Sequence, residues 1–140
     1  MKATIKQVDG LTLMGKGGSN HWLPMDTIED FGGSNAATKP MELILLGLGG
    51  CTSMDVLSIL KKKRTPITNF EMEVEAEQAE NFPKVFTKIN IKYIFYGDKS
   101  NVKTRDIEHA IDLSSNVYCS ASAMLKATVD IHHEYEIKNA

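Results

Sequence analysis

The chain has 140 residues and is 42 % apolar, which is the size of one domain with enough hydrophobic material for a core. Sixteen Lys and Arg nearly balance eighteen Asp and Glu, so neither nucleic acid nor an anionic membrane surface is an expected partner. The N-terminal MKATIKQVDG has no apolar core region, so no signal peptide is expected. The longest uncharged apolar run, Leu43 to Cys51, is short of the roughly 20 residues of a membrane span. The composition therefore predicts a soluble, cytoplasmic protein.

In chain order, KATIKQV and LTLMGK flank Asp9-Gly10, a two-residue hairpin signal. GGSN makes a turn, and HWLPMD fits a third strand with Pro24 at an edge. EDFGGSNAATK has loop composition. A long helix follows, with Pro40 in its first turn, Thr38 as its cap and Pro66 as its stop. Glu42 opens this helix and Lys61 to Arg64 close it, as the helix dipole favours. Between those ends it is apolar almost all round, which predicts burial on most sides.

FEMEVEAEQ then alternates Phe70, Met72, Val74 and Ala76 with four glutamates, the pattern of a half-buried strand whose acidic row faces water. KVFTKINIKYIFY alternates less, so both of its faces should be partly covered. A second helix is predicted over about 102–117, with Ile107, Ala110, Ile111 and Ser114 on one stripe. CSASAML continues as a short helix, and TVDIHHEYEI closes the chain as a strand. The order predicts a single α+β domain over residues 1–140 with antiparallel pairing. Gly47, Gly49 and Gly50 interrupt the long helix, each at about 1 kcal/mol relative to alanine. A close helix-to-helix or helix-to-sheet contact would offset that, and a second copy of the helix in a homodimer is one way to supply it.

The two cysteines, Cys51 and Cys119, are the residues with redox potential. In a reducing cytosol they are either buried apolar groups or a transient pair. Cys119 sits at the start of the short helix, where a thiolate is favoured. Cys51 has no such position, and Asp55 one turn later disfavours its ionisation. No CxxC occurs, and His132 and His133 point to opposite faces of a strand, so no metal is expected. His133 shares parity with Val129, Ile131, Tyr135 and Ile137 and reads as a satisfied core or interface histidine. GLGG lies within a helix and is not a phosphate loop.

KPMELILLGLGGCTSMDVLSILKKKR and LSSNVYCSASAMLKATVDIHHEYEI resemble the OsmC/Ohr family of osmotically inducible and organic hydroperoxide resistance proteins, and in particular its OsmC-like branch. The resemblance implies antiparallel sheets packed around a long central helix in an intertwined homodimer, with sites at the subunit interface. It implies a thiol peroxidase acting on organic hydroperoxides or hydrogen peroxide without a cofactor. Cys51 would attack the peroxide and become a sulfenic acid, Cys119 would condense with it to a disulfide, and an external thiol would reduce that bond.

Two family features are changed. Peroxidases of the family place a glutamate just after the proline that opens the helix. Here Met41 follows Pro40, and Glu42 is one residue late, about 100° round the helix. The family also supplies an arginine upstream, whereas the first arginine here is Arg64. Glu42, His21 and Lys39 are the remaining candidates to activate or support Cys51, with Lys16 a further nearby cation. A lysine does not reproduce a bidentate arginine contact. These changes leave open an alternative: a non-catalytic protein on the same fold that binds an apolar or thiol-bearing ligand at the dimer interface. For a peroxidase, Leu43, Leu46, Met54 and Met124 are the expected apolar lining.

Overall fold

The computed structural model describes residues 1–140 and falls into two units, Met1–Ile44 and Leu45–Ala140. The first holds an antiparallel sheet in the order β1 (Thr4–Asp9), β2 (Thr12–Lys16), β3 (Trp22–Met25). The hairpin turn lies one residue later than expected. Asp9 pairs with Thr12 across Gly10-Leu11, because the register slips between Gln7 and Asp9. Gly10 takes φ +52°, a conformation open to glycine. Pro24 lies in β3 at the sheet edge, opposite Met14. After β3 the loop is organised by Asp26, a buried residue that composition did not single out. Its carboxylate accepts from Thr27 N–H at 2.8 Å, Ala36 N–H at 3.1 Å, Ser34 N–H at 3.2 Å and the Thr12 hydroxyl at 3.1 Å. These bonds, the Thr27 N–H foremost, hold it ionised to below the usual carboxylate range.

The long helix α1 spans Pro40–Lys62. Thr38 is not its cap; its carbonyl instead accepts from Asp26 N–H. Glu42 reaches back to the Lys39 N–H at 2.9 Å, the side-chain half of a capping box. At the other end Arg64 takes φ +56° and the Thr65 N–H bonds to the Leu60 carbonyl, so the helix ends before Pro66 without a glycine. By length and composition α1 is apolar enough to cross a bilayer, with mean hydropathy 1.9, because its charges lie near its ends and at Asp55. One stripe is packed in the core, through Leu48, Gly49, Thr52, Val56 and Leu60. The remaining apolar face is open, contrary to the expected burial on most sides. Leu46 is 63 % exposed and Met54 74 %.

The second unit is built on a sheet ordered β4 (Ile67–Gln78), β5 (Phe86–Gly97), β6 (Asp130–Lys138). β4 and β5 pair antiparallel as expected. β5 and β6 run parallel, which differs from the expected all-antiparallel arrangement. The reason is the helical connection between them: it carries the chain back across the sheet, so β6 starts from the same end as β5. One sheet face carries Phe70, Met72 and Val74 of β4, Ile89, Ile91, Tyr93 and Phe95 of β5, and Ile131 and His133 of β6. Gly49 explains one of the three helix glycines. A Cβ there would stand 3.2 Å from Val74 Cγ2 and 3.4 Å from Met72 Sδ, so α1 lies close on this face. β5 is the central strand; its second face is partly covered as expected, with Ile94 buried and Asn90, Lys92 and Tyr96 half-buried.

The second helix, α2, spans Thr104–Leu113, and buries Ile107, Ala110 and Ile111 as its periodicity predicts. It runs on into a wider π-helical turn over Ser114–Tyr118, closed by the bond from Cys119 N–H to the Ser114 carbonyl at 2.9 Å. Helix α3 (Ser120–Leu125) follows at once. The wider turn lets Cys119 serve as the cap of α3 instead of continuing α2.

Candidate active site

The Thr52 hydroxyl oxygen lies 3.4 Å from Cys119 Sγ, which ties α3 to the middle of α1. Ser114 Oγ donates to Asp55 Oδ2 at 3.1 Å and ties the π-helical turn to the same helix one turn later. Between these links Cys51 Sγ, Cys119 Sγ and an Asp55 carboxylate oxygen all lie within 4.8 Å of one another. Cys51 and Asp55 are four apart and share a helix face. Both cysteines are free thiols; Cys51 is half-buried, whereas Cys119 is 2 % exposed. The two sulfurs therefore stand within 4.8 Å of each other, the proximity that reversible disulfide chemistry between a cysteine pair needs. These three groups could each offer a metal one ligand atom, one fewer than the four of a closed zinc site.

The sulfurs differ in acidity. Burial pushes the Cys51 thiol up, and the neighbouring Cys119 and Asp55 push it further, against the single favourable influence of the Ala121 N–H. Burial also acts against ionisation of Cys119. It is outweighed by the polar groups around the sulfur: the Ser122 hydroxyl beside it, the Thr52 hydroxyl, the Cys51 thiol and the bonded Ser122 N–H, and the net direction is down. None of these influences is a lysine, arginine or histidine. The position of Cys119 at a helix start and the effect of Asp55 on Cys51 both follow the sequence expectation.

Behind Cys119 lies Tyr93 of β5, fully buried, its hydroxyl 2.9 Å from His133 Nδ1. Burial, and then the Cys119 charge, keep the phenol protonated well above its usual range. Burial, His132 and Lys126 together keep His133 neutral to below its ordinary value. This pair is satisfied when Tyr93 donates to Nδ1 and the His133 Nε2–H donates to Ser115 Oγ, 3.2 Å away. His133 is thus a satisfied, partly buried histidine, as expected.

The three supporting candidates from the sequence belong to the first unit. Glu42 and Lys39 engage each other, with 3.7 Å between the ammonium and the carboxylate in addition to the cap. His21 is exposed just before β3. The groups acting on the sulfurs are Thr52, Asp55, Ala121 and Ser122. Thr52 and Ser122 were not singled out by sequence. The available signal was Thr52 at a polar position on the apolar stripe, four residues from both Leu48 and Val56. Met124, an expected lining residue, is 73 % exposed, as Leu46 and Met54 are exposed on α1.

The sequence model of the family described as OsmC-like protein matches residues 32–134, which include both cysteines. The chain belongs to the OsmC-like family. It is 38 % identical to protein YhfA of Escherichia coli K12 over 137 residues, covering 98 % of each chain. It is 28 % identical to a hypothetical protein from Aquifex aeolicus of known crystal structure, with a TM-score of 0.85 over 99 % of this chain and 96 % of that one. A Legionella pneumophila protein described as an organic hydroperoxide resistance protein OsmC shares the fold, with a TM-score of 0.71 at 15 % identity over 97 % of both chains. The α+β architecture expected of an OsmC-like protein is therefore present, with a close cysteine pair inside it.

Proposed function

We propose that this chain acts as a single-domain thiol peroxidase that reduces organic hydroperoxides or hydrogen peroxide through a two-cysteine cycle. The observation that carries the reading is the convergence of Cys51 and Cys119, distant in sequence, within 4.8 Å. Cys51 is the accessible sulfur and attacks the terminal peroxide oxygen. The O–O bond breaks, the alcohol leaves, and Cys51 becomes a sulfenic acid. Cys119 then attacks that sulfur, hydroxide leaves, and a disulfide forms, which an external thiol reduces. The working unit is a cytoplasmic homodimer in which a second copy covers the open face of α1 around Leu46 and Met54. The hydroperoxide resistance described for the Legionella protein supports the substrate class.

The upward shift of the Cys51 thiol favours a second reading, a binding protein on the same fold that holds an apolar or thiol-bearing ligand without turnover. Free-thiol counting separates the two. After one equivalent of cumene hydroperoxide the peroxidase loses both thiols per chain within seconds, and Cys51→Ser retains its one remaining thiol. A count unchanged over many minutes in the wild type rejects the peroxidase and leaves the binding protein.

A further inference from the structure

Cys119 Sγ is surrounded by hydrogen-bond donors. The Ser122 N–H points at it from 3.3 Å and the Thr52 hydroxyl lies at 3.4 Å. The Ser122 hydroxyl lies beside it as well, 1 % exposed and without any partner of good hydrogen-bond geometry. A buried hydroxyl left unpaired is unfavourable. It gains an acceptor as soon as the neighbouring sulfur carries charge, and a charged sulfur also fixes Thr52 as donor. Cys51 faces the Ala121 N–H on one side and the Asp55 carboxylate on the other, and its sulfur lies within 4.8 Å of Cys119 Sγ, near enough for a proton to pass between them. Asp55 faces Cys119 as well, its carboxylate within 4.8 Å of that sulfur and drawing a hydrogen bond from Ser114, and the donors around Cys119 must outweigh its charge; the other titratable group there is Tyr93 from β5, held protonated and backed by neutral His133 from β6.

Building on the peroxidase reading, we infer that Cys119 is the resident thiolate of the pair and the base that takes the Cys51 proton, with Thr52 and Ser122 positioning that charge. This replaces the upstream arginine that the chain lacks. In the attack, the Cys51 proton passes to Cys119 as the Cys51 sulfur forms its bond to the terminal peroxide oxygen. The O–O bond breaks and its electron pair leaves with the alkoxide, which takes the proton back from Cys119 to depart as alcohol. Cys119 is again a thiolate, now facing a sulfenic acid. Its electron pair forms the S–S bond, and hydroxide leaves and is protonated by solvent. Cys51 and Cys119 are oxidised together by two electrons, and the hydroperoxide is reduced by two. The net acidity of Cys119 agrees with a resident thiolate there, and the opposite direction at Cys51 means that its proton moves only as the S–O bond forms.

The test is a peroxide-free pH titration of thiolate absorbance in reduced, chelator-treated protein, with alkylation by iodoacetamide as a second readout. The wild type should titrate one thiolate per chain below the ordinary thiol value of about 8.5. Cys51→Ser should keep that transition. Cys119→Ser should lose it, with its remaining thiol titrating above the ordinary value. Thr52→Val should raise the midpoint by about one unit, the effect of one hydrogen bond to a charged group. Ser122→Ala should raise it too, and Thr52→Ser, which keeps the hydroxyl, should hold the wild-type midpoint even if the valine variant fails to fold. A low transition that survives in Cys119→Ser, or vanishes in Cys51→Ser, overturns the inference. Peroxide assays separate it from the broader reading. Sulfenic acid formation in Cys119→Ser at the wild-type rate overturns the base and leaves a peroxidase. A Cys119 thiolate in a protein inert to hydroperoxide upholds the charge assignment and refutes the peroxidase.

Discussion

Replacing each of the three helix glycines by alanine reads out what covers α1. A solvent-facing glycine in a helix interior forfeits about 1 kcal/mol relative to alanine, so each replacement starts with a gain of that size. At Gly49 the new methyl meets Val74 Cγ2 at 3.2 Å and Met72 Sδ at 3.4 Å. Overpacking of that kind costs about 1–3 kcal/mol, which cancels or reverses the gain. Gly47 and Gly50 have no atom within 4 Å of the added carbon. On an isolated chain both should therefore raise the unfolding free energy by about 1 kcal/mol. If a second copy packs against this face, the same methyls enter a helix contact. The proposed dimer predicts association weakened by about 1–3 kcal/mol, roughly 5- to 150-fold in Kd. Sedimentation equilibrium gives the association constant, and urea denaturation at several protein concentrations gives the stability. Gly47→Ala and Gly50→Ala that stabilise fully at every concentration, with sedimentation unchanged, would refute the covered face.

Other consequences follow from single side chains. Leu60→Ala removes a buried side chain of the α1 stripe and should cost about 2–5 kcal/mol in denaturant unfolding. His133 stays neutral in the native state to below its ordinary value, so the unfolded chain gains a proton first as pH falls through about 6.5. Stability should therefore fall with pH in that window, and His133→Gln should flatten the slope; an unchanged slope contradicts the buried neutral imidazole. Asp26 has the opposite sense. Its stabilisation is present above the ordinary carboxylate value and is lost as pH falls through its lowered native one. Asp26→Asn presents an amide where N–H groups converge, so it should lower the melting midpoint at neutral pH and remove that acid-induced loss.

Local pattern placed most of the architecture. The glutamate alternation of β4, the edge position of Pro24, and the prolines around α1 each follow from short-range sterics or periodicity, and the structure agrees with them. The hairpin turn was offset by one residue because a register slip depends on how two strands pair, which no dipeptide records. The parallel pairing of β6 depends on where the α2–α3 connection returns the chain, a tertiary property. At the site, the helix-start position of Cys119 and the unfavourable Asp55 were readable from spacing along single elements. Thr52 and Ser122 were not, because their role arises only when α3 meets α1 through the π-helical turn. The family resemblance supplied the pairing of the two cysteines; residue spacing alone did not. Open surface on α1 shows why a sequence apolar all round overstates burial within one chain.

The most direct test of the central claim is peptide mapping by mass spectrometry after one equivalent of cumene hydroperoxide, without added reductant. The account predicts that the peptides containing Cys51 and Cys119 become joined within one chain and separate on adding a dithiol, and that Cys51→Ser yields no joined species. Peptides that remain unlinked, with both thiols reduced or Cys51 oxidised alone to the sulfinic acid, would contradict it.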